Sequence, residues 1–331
     1  MTKQKIPVWL DCDTGNDDAF AILLSAFHPR VNLLGISTVH GNAPLAWTTH
    51  NTLGILDILH VYNVKVYPGE EAPLVNEARF ALDIHGKTGI GGIQLPQSPT
   101  NRPVTHPSYL DAMHHAIMQH QDQICLVSTG TSTNIARLIT KYPHVVDKIK
   151  YISVMGGSFG MGNASPFAEF NFHTDPHASK LVMAKLQDKM ILTSLNLSHK
   201  IVADEHVRRS IYSELDQSKN SQLRRGFYEI LMFYSNKYGC GDGEFKGPPL
   251  HDPIAVYSLL PVVDDDFAAY GYKCVKRKLD VVLEGDRMGA SVVVNEELEL
   301  DEDEDGGVII GQDLDKQKFW KAILDALHAA E

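Results

Sequence analysis

The sequence predicts an α/β domain: an open, largely parallel, Rossmann-like sheet flanked by helices, with a small antiparallel extension toward the C-terminus. Three observations predict it. Short apolar runs alternate with helix-length segments over most of the chain, the pattern of βα units. The predicted strands end repeatedly in polar or turn residues, Asp11 and Asp13, Asn42, Thr129, Gly156-Gly157 and Asn196. A crevice along the carboxyl edge of such a sheet would collect them. The first strand, in IPVWLDCDTGNDDAFAILLSA (6–26), runs into four aspartates and then an apolar helix.

Length and composition bound the reading. The 331 residues are 44% hydrophobic and 21% charged, enough for a substantial core. No internal repeat or linker divides them, so a single domain over 1–331 is predicted. The net charge of -11 and the lack of a basic patch argue against a nucleic-acid partner. No run approaches membrane-spanning length, and the start MTKQKIPVWLDCD has no apolar signal core. Cys12, Cys125, Cys240 and Cys274 are scattered, without a CxxC. They read as reduced cysteines of a cytoplasmic protein, with the nucleus also open.

The elements follow in order. Strand 31–39 (VNLLGISTV) ends in His40-Gly41-Asn42, and a helix follows over 44–60, with Pro44 suited to its first turn. A short strand over 64–67 precedes a Gly- and Pro-rich stretch, 68–107, that contains Asp83-Ile84-His85-Gly86. A loop that long inside a domain is functional or disordered. Helix 109–120, strand 123–127, helix 134–140 and strand 149–155 continue the alternation. Helix 175–186 and strand 190–195 follow, then helices 203–214 and 222–237. A glycine-rich loop leads to His251-Asp252-Pro253, where another helix starts. Residues 267–310 read as short antiparallel strands and turns, and 314–329 as a closing amphipathic helix.

The aspartates need an explanation, because like charges a few ångströms apart repel. Asp17 and Asp18 have an ordinary one, the first turn of a helix. Asp11 and Asp13, two residues apart at a strand end, do not. Alternation turns them to one side, and Gly15 lets the chain fold back, so Asp11, Asp13 and Asp18 could converge on a hard divalent cation, Mg²⁺ or Ca²⁺. Thr129 could offer its carbonyl, or merely cap a helix. Asp252 could face the metal, or merely cap the helix that Pro253 begins. The segment 162–171 offers Asn163, Glu169 and Asn171, side chains that suit sugar hydroxyls. Tyr234 and Tyr238 are helically spaced, which alone suggests core. The acidic run 300–312 imitates an EF-hand loop, but Gln312 stands where a bidentate Glu belongs, so it reads as a solvated hairpin tip.

Together these pieces resemble the nucleoside hydrolase family, the inosine/uridine-preferring N-ribohydrolases, over nearly the whole chain. The family signature DxDPGxDD is met as Asp11-Cys12-Asp13-Thr14-Gly15-Asn16-Asp17-Asp18, with Thr14 in place of proline. Gly41-Asn42, His85-Gly86, Thr129-Gly130, Met155-Gly156-Gly157, Gly162-Asn163, Ala168-Glu169-Phe170-Asn171 and His251-Asp252-Pro253 follow in order. The segment 195–200 (LNLSHK) looks like the fungal, uridine-cleaving branch. The resemblance implies a Ca²⁺ ion held by Asp13, Asp18, Asp252 and the Thr129 carbonyl, with Asp11 supporting the loop from behind. It implies ribose contacts from Asp17, Asn42, Asn163, Glu169 and Asn171, with Met155 packed near the sugar. Tyr234, Tyr238, His85 and His251 would lie toward the base, His251 as a candidate leaving-group acid. A ribonucleoside, uridine favoured, would be the small-molecule partner, in nucleoside salvage, and the chain would form a homodimer or homotetramer. Thr14 is expected to alter loop stiffness and leave metal binding intact.

The chemistry is coherent with that resemblance. Cleaving an N-glycosidic bond builds positive charge on ribose, which a crevice of carboxylates stabilises. A bound cation acidifies a water, and Asp13 can take its proton. Two rivals use the same residues. A Mg²⁺ phosphohydrolase of the haloacid-dehalogenase type would read Asp11-Cys12-Asp13-Thr14 as its start, with Asp11 as nucleophile, but leaves Asp17-Asp18 without a role. A calcium-stabilised protein that binds nucleosides without cleaving them would not need His251.

Overall fold

The computed structural model describes residues 3–237, 246–295 and 303–331. Its strands are Ile6–Cys12 (β1), Val31–Thr38 (β2), Val66–Pro68 (β3), Cys125–Ser128 (β4), Tyr151–Met155 (β5), Met190–Thr193 (β6), Lys273–Arg277 (β7), Leu279–Val281 (β8), Ser291–Val293 (β9) and Val308–Asp313 (β10). Eight of them form one sheet in the order β3-β2-β1-β4-β5-β6-β10-β7. Neighbours are parallel from β3 to β10, and β7 is antiparallel to β10. β8 and β9 pair separately as an antiparallel ribbon.

The C-terminal extension is therefore split. The ribbon stands apart, as expected of an appendage. β7 and β10 instead widen the main sheet, with β10 seated against β6. Helix Phe267–Tyr270 also interrupts the predicted run of strands; Asp266 caps it by accepting the Ala269 N–H at 3.1 Å. Four residues are too few to show a helical period in sequence.

β1 is buried along its whole length, as a strand flanked on both sides must be. Pro7 fits there because β4 begins to pair with β1 only at Val8. On one face, helices Asp18–Phe27, Asp252–Asp264 and Lys316–Ala329 pack together, with Phe20 edge-on to Phe227 at 5.0 Å. The other face carries helices Thr133–Lys141 and Pro176–Leu186 over a second apolar cluster containing Trp9 and Tyr67. Cys12 and Cys125 are buried, free thiols; Cys240 lies outside the described residues. Among the described residues no helix is long and apolar enough to cross a membrane.

From β1 the chain winds one way through β2 and β3 and the other way through β4, β5 and β6. The reversal lies between β1 and β4, and in such sheets the crevice opens at the carboxyl ends of that pair. Asp13 and Thr129 follow those two ends.

Candidate active site

The loop 13–17 joins β1 to helix Asp18–Phe27. Asp17 stands at the N-cap position, yet its side chain makes no capping hydrogen bond. His251 stands at the N-cap of helix Asp252–Asp264, and Asp252 is its first residue. Ser132 takes the N-cap of helix Thr133–Lys141, which leaves Thr129 outside it. Helix capping thus accounts for none of the three. Asp17, Asp18 and Asp252 are buried instead, with ligand oxygens all within 4.8 Å of one another.

Hydrogen bonds fix this arrangement. Asp18 Oδ2 accepts the Gly15 N–H (2.8 Å) and Asn42 Nδ2–H (3.0 Å), and its Oδ1 accepts the Thr129 hydroxyl (2.8 Å). Asp13 Oδ2 accepts the Asn42 N–H at 2.7 Å, and its buried Oδ1 has no hydrogen-bond partner. Gly41 and Gly130 press against the Asp13 carboxylate so closely that a Cβ on either would collide with it. That close approach explains both glycines.

Burial and mutual repulsion set the electrostatics. Burial, with the charges of Asp18 and Asp17, holds Asp13 well above the ordinary carboxylate range. Asp252 is raised well above it too, by burial and then by Asp17, Asp18 and Asp13. Burial and Asp18 push Asp17 up to about 7, and burial raises Asp18. Such a set favours one proton shared among the carboxyls or one cation among them. All the donors are hard oxygens, the set that Ca²⁺ or Mg²⁺ takes, and the unpartnered Asp13 Oδ1 adds one more. The residues fit a divalent cation.

Asp11 does not join them. Its Oδ1 accepts the Ser37 hydroxyl and Asn134 Nδ2–H (2.7 Å) behind the loop, fully buried. The expected convergence of Asp11, Asp13 and Asp18 is corrected on this point. Strand alternation does not reach Asp13, because β1 ends at Cys12 and Asp13 has already left the strand. Asp11, Asp13 and Asp18 all lie behind the lining of the cavity, but Asp13 and Asp18 bond the lining residues Asn42 and Thr129, whereas the Asp11 side chain, the nucleophile of the phosphohydrolase reading, bonds only Ser37 and Asn134.

That cavity holds about 250 Å³. Asp17, Asn42, Thr129, Met155, Asn163, Glu169, Asn171, His251 and Asp252 line it, with His85 and Tyr234 on one side. Asn171 Nδ2–H donates to the carbonyls of Thr129 (2.8 Å) and Met155 (3.2 Å). Asn163 Oδ1 accepts the Phe170 N–H at 2.9 Å. Glu169 caps helix Phe170–Thr174: its oxygens accept N–H groups of Asn171, Phe172 and Gly157 at 2.8 to 3.1 Å. Burial still pushes its pKa up to about 7.

The opposite side is aromatic. His85 lies 5.6 Å from Tyr234, ring to ring, and His251 lies 6.3 Å from Tyr234 at 89°. His85 Nδ1 accepts the Asn16 N–H at 3.2 Å, which puts the imidazole proton on Nε2. Burial lowers its pKa to about 3. His251 Nδ1 bonds the Ser198 hydroxyl at 2.7 Å, and burial with His199 and His85 nearby lowers its pKa well below the usual value. Both rings are neutral at neutral pH.

Some expectations land elsewhere. Tyr238 lies outside the described residues, as do residues 300–302 of the acidic run. Asp303 Oδ1 accepts the Lys276 N–H at 2.7 Å, so the described part of that run braces β7. Asn196 pins Phe159 by its backbone N–H and carbonyl, both at 2.9 Å, and lines a neighbouring cavity. Ala81, Ile84, Phe170 and Lys237 line the main cavity without any signal in sequence spacing. Thr14 hydrogen-bonds the Thr52 hydroxyl at 2.6 Å, so the loop is held to helix Leu45–Ile58 by a polar link.

Comparisons with known proteins agree on one family. The model described as inosine-uridine preferring nucleoside hydrolase matches residues 8–321. The uridine nucleosidase of Saccharomyces cerevisiae is 39% identical, with 100% of this chain and 98% of that protein covered. A probable ribonucleoside hydrolase of Dictyostelium discoideum is 33% identical over 99% and 96%. Among solved structures, a purine-preferring ribonucleoside hydrolase from Gardnerella vaginalis superposes with a TM-score of 0.84 at 24% identity, covering 98% of this chain and 99% of that one. That last likeness speaks to the fold.

Proposed function

Because the chain belongs to the inosine-uridine preferring nucleoside hydrolase family and is a ribonucleoside hydrolase, we propose that it cleaves uridine to uracil and ribose with the help of Ca²⁺. One observation carries this reading: a cavity with a floor of buried carboxylates and amides faces a wall of neutral imidazoles and a tyrosine. Uridine is favoured because the yeast relative is a uridine nucleosidase. Asp13, Asp18, Asp252 and the Thr129 carbonyl would hold the ion, and Asp17 is near enough to Asp18 and Asp252 to share it. When bound, the ion would acidify a water molecule.

Asp13 Oδ1, the oxygen no protein donor occupies, would be the acceptor for a proton of that water. Asp17, Asn42, Asn163, Glu169 and Asn171 hold the ribose hydroxyls, and Met155 packs against the sugar. Negative charge beneath the ring stabilises the positive charge that grows as the glycosidic bond breaks. On the other side His85 offers Nε2–H to the departing base. His251, neutral as well, stands beside Tyr234 as the second group that can pass a proton to it. The reading extends to a cytoplasmic homodimer or homotetramer working in nucleoside salvage.

Incubation with uridine tests the reading. Free uracil and ribose are expected; phosphate released from a nucleotide, with uridine untouched, would sink it. Steady-state kinetics across uridine, cytidine, inosine, adenosine and nicotinamide riboside would rank the bases.

A further inference from the structure

Asn16 sits among the aspartates, but its side chain turns away from them. Its Nδ2 donates to the carbonyls of Gly91 and Ile230, both at 3.0 Å, and its Oδ1 accepts the Gly91 N–H at 3.4 Å. Its backbone N–H holds His85 Nδ1. The residue is 1% exposed, so water does not replace these bonds. Ile230 lies one turn before Tyr234 in helix Gln222–Lys237. Gly91 lies two residues beyond the turn after His85, which the Gly89 N–H closes on the Gly86 carbonyl at 2.9 Å. One side chain therefore ties the carboxylate loop to both pieces of the aromatic wall.

We propose that Asn16 is a positioning residue for base recognition: it fixes the spacing between the carboxylate floor and the His85–Tyr234 wall without touching substrate. The inference rests on the nucleosidase reading of the cavity. An asparagine suits the task because its amide supplies two donors and an acceptor on one short stem. Alanine would take the side-chain donor away from the buried Ile230 carbonyl and the half-buried Gly91 carbonyl and leave the wall free to shift. The floor would stay in place, because Asp13, Asp18 and Asn42 bond one another and Thr129 without using Asn16.

The test is Asn16→Ala in the full chain with Ca²⁺, with Asn16→Ser as a second variant if alanine does not fold. Hydrogen exchange of peptides covering 84–91 and 230–234 should quicken about tenfold or more, the readout of a broken clamp. For uridine, kcat/KM should fall roughly 10- to 100-fold, mostly through KM, and the preference between uridine and inosine should shrink. Inhibition by free ribose and calorimetric Ca²⁺ affinity should stay within about twofold, because neither uses the wall. Unchanged exchange overturns the clamp whatever the kinetics show. Equal losses in ribose inhibition, Ca²⁺ affinity and nucleoside turnover also overturn it, as they would mark a general structural role. A wild-type enzyme inactive on every nucleoside defeats the proposed function, and the exchange data then decide the clamp alone.

Discussion

The two sides of the cavity are built differently. The floor hangs from strand ends and one helix start, Asp13 after β1, Thr129 after β4, Met155 ending β5 and Asp252 opening its helix. Its polar groups bond one another at 2.7 to 3.2 Å, and the sheet fixes their spacing. The wall hangs from the long stretch after β3 and from helix Gln222–Lys237, and its rings meet at 5.6 to 6.3 Å. A rigid floor suits the part of the substrate that never varies, the ribose. A wall on a loop and a helix can change with the base and leave the chemistry alone.

The largest expected effect challenges the floor. Removing the 2′-hydroxyl leaves its polar groups unpaired, so 2′-deoxyuridine should react about 10⁴-fold more slowly in kcat/KM than uridine. Comparable turnover of the two would mean that the floor does not read the sugar. Next, Asp13→Asn should lower kcat about 10³-fold with little change in KM, because the proton acceptor is lost and the shape kept. Full activity in that variant would remove Asp13 from the reaction.

The wall should give a smaller and base-dependent effect. His85→Ala removes one neutral hydrogen bond, which predicts about a tenfold loss for uridine and a different loss for inosine. Because burial lowers both imidazoles, His85 to about 3 and His251 well below its usual value, the rate of the wild type should show no histidine break near pH 6.5. A break near 6.5 that vanishes in His251→Gln would contradict this.

Stability against pH separates the regions again. Asp11 and Asp17 rise from 3.8, and Glu169 from 4.5, each to about 7 in the fold. Between those values the folded state binds more protons than the unfolded chain. These carboxyls therefore make chelator-treated protein lose stability as pH climbs from about 4 to 7, while His85 and His251, whose pKa values the fold lowers, oppose that loss as pH rises toward 6.5. Added Ca²⁺ should restore stability at pH 8 by about 2.7 kcal/mol at a hundredfold excess over Kd. Thermal melts with and without the ion measure both, and the chelator-treated loss should shrink in Asp17→Asn, which removes one raised carboxyl; an unchanged pH profile in that variant would contradict it. Smallest of all, Thr14→Val removes the Thr52 bond and should cost about 1 kcal/mol by denaturant titration, with kcat nearly unchanged.

Much of the floor was legible in sequence because local rules wrote it. Alternating strands and helices gave the parallel sheet, and polar residues after strand ends gave the crevice. Asp11 was misplaced only as long as the strand's alternation was carried past Cys12. The wall was less legible. His85 sits in a stretch with little periodicity, and Ala81, Ile84 and Lys237 carry no spacing that marks a lining residue. Nothing in sequence marks Asn16, because its partners Gly91 and Ile230 are distant along the chain and are backbone atoms, which every residue has. β10 was read as part of an appendage because its short apolar run, Val308–Ile310, does not say whether its neighbour is β6 or β9.

The distance along the chain between Asp18 and Asp252 has a consequence for biogenesis. During synthesis the first carboxylates leave the ribosome early, and their last companion arrives only after most of the sheet has been made. β10, the strand that joins β6 to β7, comes later still. A nascent chain can thus assemble most of the apolar cluster under helices Thr133–Lys141 and Pro176–Leu186 while helix Asp18–Phe27 and the acidic loop still await their late partners. Drawing the carboxylates together is left to the late helix that begins at Asp252, so a prematurely ended chain would carry the sheet's centre and lack a finished site.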